Sequence, residues 1–102
     1  MDAALLAASH PVRRRILERL RRGPAAMGTL AKRFPVSRQA VAKHLRLLER
    51  GRLIVLRRRG RERIARLSAA PLREIDRWVE KFRSFWEPRL RELKRLAEER
   101  ER

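Results

Sequence analysis

Apolar positions keep a helical spacing through the first half of the chain, switch to a strand-like run after Gly51, and return to helical spacing after Pro71. The clearest stretch is Val36-Ser37-Arg38-Gln39-Ala40-Val41-Ala42-Lys43-His44-Leu45-Arg46-Leu47-Leu48. Val41, Leu45 and Leu48 stand at i, i+4 and i+7, so one face of this helix is expected to lie in a core. Ser37 is placed to cap it, its hydroxyl accepting from free amides of the first turn. Val36 and Val41 have the N′ and N4 spacing of a hydrophobic staple. Gly51 is the expected left-handed cap at the far end. The opposite side presents Arg38, Gln39, Ala42, Lys43 and Arg46. Donor-rich side chains around one small residue suit base edges and phosphates in a groove; an ordinary solvated face fits the same pattern.

Upstream, Leu5 and Leu6 belong to a short Ala-rich helix ending near Ser9, and Pro11 is suited to open the next. That second helix carries Val12, Ile16, Leu17 and Leu20 inward and stops at Gly23-Pro24. A third runs from about Met27 to Phe34, anchored by Leu30 and Phe34. Only Pro35-Val36-Ser37 separates it from the capped helix. Two helices joined by so short a turn, the second exposing Arg, Gln and Lys, predict a helix-turn-helix over residues 27–50.

Downstream, Leu53-Ile54-Val55-Leu56 and Ile64-Ala65-Arg66-Leu67 read as strands flanking a basic loop, residues 57–63, that turns at Gly60. A hairpin over about residues 53–67, directly behind the capped helix, makes the motif winged. Its Arg57, Arg58, Arg59, Arg61 and Arg63 would meet a DNA backbone or minor groove. The alternative is an Arg-rich hairpin that only blunts an edge strand. From Pro71, Leu72, Ile75, Val79, Phe82 and Trp86 form a helical stripe that Trp78 and Phe85 widen and Leu90, Leu93 and Leu96 extend. Both tryptophans and two of the three phenylalanines lie here, more aromatic surface than so small a core can cover. Such a stripe is expected to pack on a second copy of the chain. Pro88 predicts a kink or break near Trp86-Glu87.

The 102 residues are expected to form one domain. Lys and Arg number 29 against 12 acidic residues, a formal net charge of +17, which favours phosphate polyanions. There is no cysteine, which excludes disulfides, thiolate nucleophiles and cysteine metal sites. The first residues lack the pattern of a signal peptide and no apolar run is long enough to span a membrane, so a cytoplasmic location without membrane contact is expected. No catalytic motif appears, so no enzyme activity is expected.

The segments His10-Pro11-Val12-Arg13-Arg14-Arg15-Ile16-Leu17, Val36-Ser37-Arg38-Gln39-Ala40-Val41-Ala42-Lys43-His44-Leu45 and Gly60-Arg61-Glu62-Arg63 resemble the ArsR (ArsR/SmtB-like) family of winged-helix repressors. The resemblance covers nearly the whole chain. It implies a mainly α fold with a small β-hairpin, and a homodimer built on helices about residues 2–9 and 71–102 that represses from a palindromic operator. Ser37, Arg38, Gln39, Lys43 and His44 match positions that face DNA in the family, and residues 57–63 match its wing. Leu5, Leu6, Leu72, Ile75, Trp78, Val79, Phe82, Phe85 and Trp86 are the expected dimer contacts. Metal-sensing members carry paired cysteines where this chain has Gly28-Thr29-Leu30-Ala31-Lys32, or an Asp/His site on the last helix, and no His follows His44. The resemblance is therefore to a metal-independent branch, with no metal and no cofactor expected.

Within this frame His10 is expected to cap the second helix, and His44 either to reach a phosphate or to pack against the preceding helix. Gln39 suits adenine and Arg38 guanine or a phosphate, while Lys43 and Arg46 suit phosphates. Asp76 and Glu80, with Arg73, Arg77, Lys81 and Arg83 nearby, are expected in ion pairs rather than around a cation. Two rival readings remain: a non-specific basic nucleic-acid-binding protein driven by charge, and a protein-interaction module using the aromatic helix.

Overall fold

A computed structural model of the chain describes residues 1–68 and 70–101; Arg102, the end of the expected last helix, lies outside them. The elements run α1 (Asp2–Ala7), α2 (Pro11–Leu20), β1 (Ala25–Ala26), α3 (Met27–Arg33), α4 (Arg38–Arg50), β2 (Ile54–Arg59), β3 (Glu62–Leu67) and α5 (Ala70–Arg100). They form two compact units, Met1–Leu72 and Arg73–Arg102. The architecture is the winged helix-turn-helix, mainly helical with a small antiparallel sheet, ending in a long helix.

Local signals account for most helix boundaries. Pro11 opens α2, and the His10 ring caps it, Nδ1 accepting from the Val12 amide at 3.1 Å. The carbonyls left open at the end of α1 are taken by arginines of α2: Arg13 Nε donates to Ala7 and Arg14 Nη1 to Ala8, at 2.5 and 2.9 Å. Ser37 caps α4, its Oγ accepting from the Ala40 amide at 3.1 Å.

The far end of α4 differs from the expectation. Gly51 stays right-handed at φ −76°, and Arg52 takes the left-handed position at φ 59°. The Arg52 amide bonds Glu49 O and the Leu53 amide bonds Leu48 O, which is the double closure of a Schellman motif one residue later than anticipated. Gly51 serves another purpose. A Cβ there would stand 2.7 Å from Ala7 Cβ and 2.9 Å from Ala3 O, so the glycine lets α1 lie directly on the end of α4.

The core of the first unit gathers Ile16 and Leu20 of α2, Leu30 and Phe34, Val41, Leu45 and Leu48 of α4, and Leu53, Ile54 and Ala65 of the wing, all buried. Each large aliphatic side chain so covered contributes about 1.5–3 kcal/mol. No charged or polar residue is buried among the described residues.

The sheet holds three strands in the order β1-β3-β2, so the wing is more than a hairpin. β1 pairs Ala25 with Ala65 and Ala26 with Ile64, tying the start of α3 to the wing. Basic residues expected in the loop are mostly strand: β2 continues through Arg59 and β3 begins at Glu62, leaving Gly60-Arg61 as a two-residue turn with Gly60 at φ 64°.

The second unit begins three residues into α5, at Arg73. Pro88 sits inside a helix that continues past it, so of the expected kink or break, a break does not occur. Proline removes the amide that would bond four residues back and disturbs that turn. One residue further along, Arg89 Nη1 donates to Phe85 O at 2.7 Å while its guanidinium lies 3.6 Å from the Phe85 ring centroid. Arg83 pairs with Glu80 at 3.0 Å and with Asp76 at 3.9 Å, the ion pairing expected of these carboxylates. No residue of α5 is buried. No helix among the described residues is long and apolar enough to cross a membrane.

Candidate nucleic-acid interface

α4 divides cleanly by side. Val41 and Leu48 are fully buried and Leu45 nearly so, which fixes the rotation of the helix about its axis. That rotation leaves Ser37, Arg38, Gln39, Lys43 and Arg46 exposed, with Ala40 and Ala42 half-buried between them. The capped start of the helix therefore presents a guanidinium and a carboxamide side by side. Those groups can fork onto guanine and adenine edges, and the two flanking cations suit phosphates.

His44 stands apart from this set. Its ring is half-buried and meets the His10 ring, with centroids 4.7 Å apart and planes tilted by 42°. Its Nδ1 is fully covered and has no hydrogen-bond partner. Burial, then the charges of His10, Arg13 and Lys43, hold its pKa below the ordinary imidazole value. The packing partner of His44 is thus the cap of α2 and not the helix immediately before α4. Any contact to DNA is left to Nε2.

The wing arginines are all exposed, but strand alternation splits them. Pairings Val55–Arg66, Arg57–Ile64 and Arg59–Glu62 share one sheet face. Pairings Ile54–Leu67, Leu56–Ala65 and Arg58–Arg63 share the other, whose inner end is core. Arg61 sits at the turn, and Arg58 Nε reaches back to Gly60 O at 3.3 Å. Arg58 and Arg63 lie directly across the ladder from each other. Like charges so placed repel, and a polyanion relieves that repulsion. Residues 57–63 read as one basic loop in the sequence, whereas Arg66, outside that run, joins the Arg57 and Arg59 face. Strand alternation could have found it.

The expected dimer residues Leu5, Leu6, Leu72, Trp78, Val79, Phe82, Phe85 and Trp86 are exposed, with Ile75 half-buried. Trp78 meets Phe82, and Phe85 meets Trp86, edge to face at 5.2 and 5.1 Å. Leu90, Leu93 and Leu96 are also exposed, at 58, 64 and 46%, carrying the apolar surface beyond Pro88. Among the described residues no group of three or more His, Asp and Glu could hold a metal ion.

Comparison with known proteins agrees with this geometry. Residues 8–57 match the helix-turn-helix domain family. The chain is 40% identical to the HTH-type transcriptional regulator Rv2034 of Mycobacterium tuberculosis, over 79% of this chain and 76% of that protein. It is 29% identical to the transcriptional repressor SdpR of Bacillus subtilis, over 80% and 91% of the two chains. Its structure is similar to that of the ArsR family transcriptional regulator RHA00566, with a TM-score of 0.77, 31% identity, and coverage of 84% of this chain and 89% of that one. The fold, the capped helix with its exposed donors and these likenesses converge, and the chain belongs to the ArsR family of winged helix-turn-helix transcriptional regulators.

Proposed function

We propose that this regulator is a homodimeric repressor that binds a palindromic operator in duplex DNA. The observation that carries the reading is the division of α4, whose buried Val41, Leu45 and Leu48 leave Arg38, Gln39, Lys43 and Arg46 exposed behind the Ser37 cap. Gln39 reads adenine. Arg38 reads guanine or grips a phosphate, Lys43 and Arg46 hold the backbone, and Ser37 and His44 flank them. Arg57, Arg58, Arg59, Arg61 and Arg63 extend the grip along the duplex.

Homodimerisation is supported by the exposed apolar side chains of α1 and α5, among them Leu6 at 73% and Trp86 at 55%. Two protomers place their α4 helices in successive major grooves about 34 Å apart, so the operator is a palindrome. Repression is by occupancy of the promoter, and the Bacillus subtilis relative, a transcriptional repressor, supports that direction of control. The protein acts in the cytoplasm, without metal or cofactor. Selection of bound duplexes from a random pool at physiological salt is the test: the reading expects an enriched palindrome, and a pool with no shared sequence would refute it.

A further inference from the structure

The α2 face beside the core carries Arg15, Glu18, Arg19 and Arg22 at i, i+3, i+4 and i+7, continuing into the turn that follows the helix. Together with Arg21, Arg33 and Phe34, which come from that turn and the end of α3, they line an open cleft of about 330 Å³. Glu18 is its one carboxylate and is taken by Arg21 at 2.9 Å. Arg15, Arg22 and Arg33 form no ion pair among the described residues, and Arg19 spends one nitrogen on Gly23 O at 3.2 Å. Phe34 in this lining is 8% exposed.

We infer that this cleft is a phosphate-binding site separate from α4 and the wing. Five arginines line the cleft against the single carboxylate of Glu18, which Arg21 occupies, so the remaining four guanidiniums are left with uncompensated charge, and a concave wall concentrates their field. A phosphate group compensates that charge and matches the guanidinium fork, whose paired donors meet two oxygens at once. Phe34 makes the cleft more than a charged stripe, because a buried aromatic ring is part of its lining. That lining also adjoins the turn that sets α4: Phe34 O accepts from the Val36 amide at 2.8 Å, one residue before the Ser37 cap. Two sources could supply the phosphate, a free phosphoanion or the DNA backbone beyond the recognised bases.

The test uses the full chain and inorganic pyrophosphate, followed by calorimetry at constant physiological ionic strength. The variant is Arg22→Gln with Arg33→Gln, two exposed residues whose side chains make no hydrogen bond among those described. The control, Arg91→Gln with Lys94→Gln on α5, removes the same charge elsewhere. The wild type is expected to saturate at one pyrophosphate per chain, the variant to bind at least about tenfold more weakly, and the control to match the wild type. If the backbone is the natural occupant, pyrophosphate does not saturate. Lengthening a bound duplex then tightens the wild type and the control but not the variant. Equal weakening in variant and control, or no dependence on Arg22 and Arg33 in either measurement, would overturn the site. Thermal melts of both variants check the fold, and Arg15→Gln provides an independent removal at the same wall.

Discussion

His10 and His44 face each other with ring centroids 4.7 Å apart, joining the cap of α2 to the middle of α4. His10 spends Nδ1 on the Val12 amide, whereas His44 Nδ1 is covered and has no partner. The contact therefore suits a neutral His44 ring. Burial of His44, then the charges of His10, Arg13 and Lys43, makes its native imidazole a weaker base than in the unfolded chain. Between the lowered native pKa and the unfolded value of about 6.5, the unfolded state binds more protons. Stability is thus fully present above that unfolded value and is lost as the pH falls through the window. Thermal melting across this range should show a falling midpoint, and His44→Leu should flatten the fall. An unchanged slope in that variant would place the dependence elsewhere.

Gly51 is expected to resist even a methyl group. Its φ of −76° suits alanine, so backbone strain is absent and the contacts decide the sign. An added Cβ meets Ala7 Cβ and the Ala3 carbonyl inside 3.0 Å, and the carbonyl cannot turn away as a flexible side chain could. Gly51→Ala should cost about 1–3 kcal/mol in chemical denaturation. Adding Ala7→Gly removes only the side-chain half of the clash and should restore part of the loss.

Trp86 is the most exposed of the aromatic residues on α5, at 55%. In the proposed dimer it is a central contact. Trp86→Ala should weaken self-association by about 2 kcal/mol or more, roughly thirtyfold, as read by sedimentation equilibrium. A wild-type chain that stays monomeric at high concentration would contradict the assembly.

Helix positions were legible in the sequence where apolar spacing and a cap agreed. Ser37, with Val41, Leu45 and Leu48, carries both the start and the rotation of α4, which is why the exposed set could be read from the sequence. Features made by distant contacts were not legible. The two alanines of β1 carry no alternation, and they are strand only because β3 pairs with them. Arg57, Arg58 and Arg59 read as loop because charge hides strand propensity, yet the backbone ladder continues through them. Gly51 resembled a left-handed cap, but its place was set by the approach of α1, with Arg52 taking the positive φ. The phosphate cleft joins arginines from two helices and the turn after α2, a relation invisible to local spacing.

If the exposed start of α4 reads bases, Gln39 is the side chain whose loss separates cognate from random DNA. Binding of the wild type and Gln39→Ala should be measured on the selected palindrome and on a random duplex of equal length, with Arg61→Ala, at the wing tip, as the contrasting backbone contact. Gln39→Ala should lose about 1–3 kcal/mol on the palindrome and almost nothing on the random duplex, while Arg61→Ala weakens both alike. Equal loss on the two duplexes for Gln39→Ala would contradict the account.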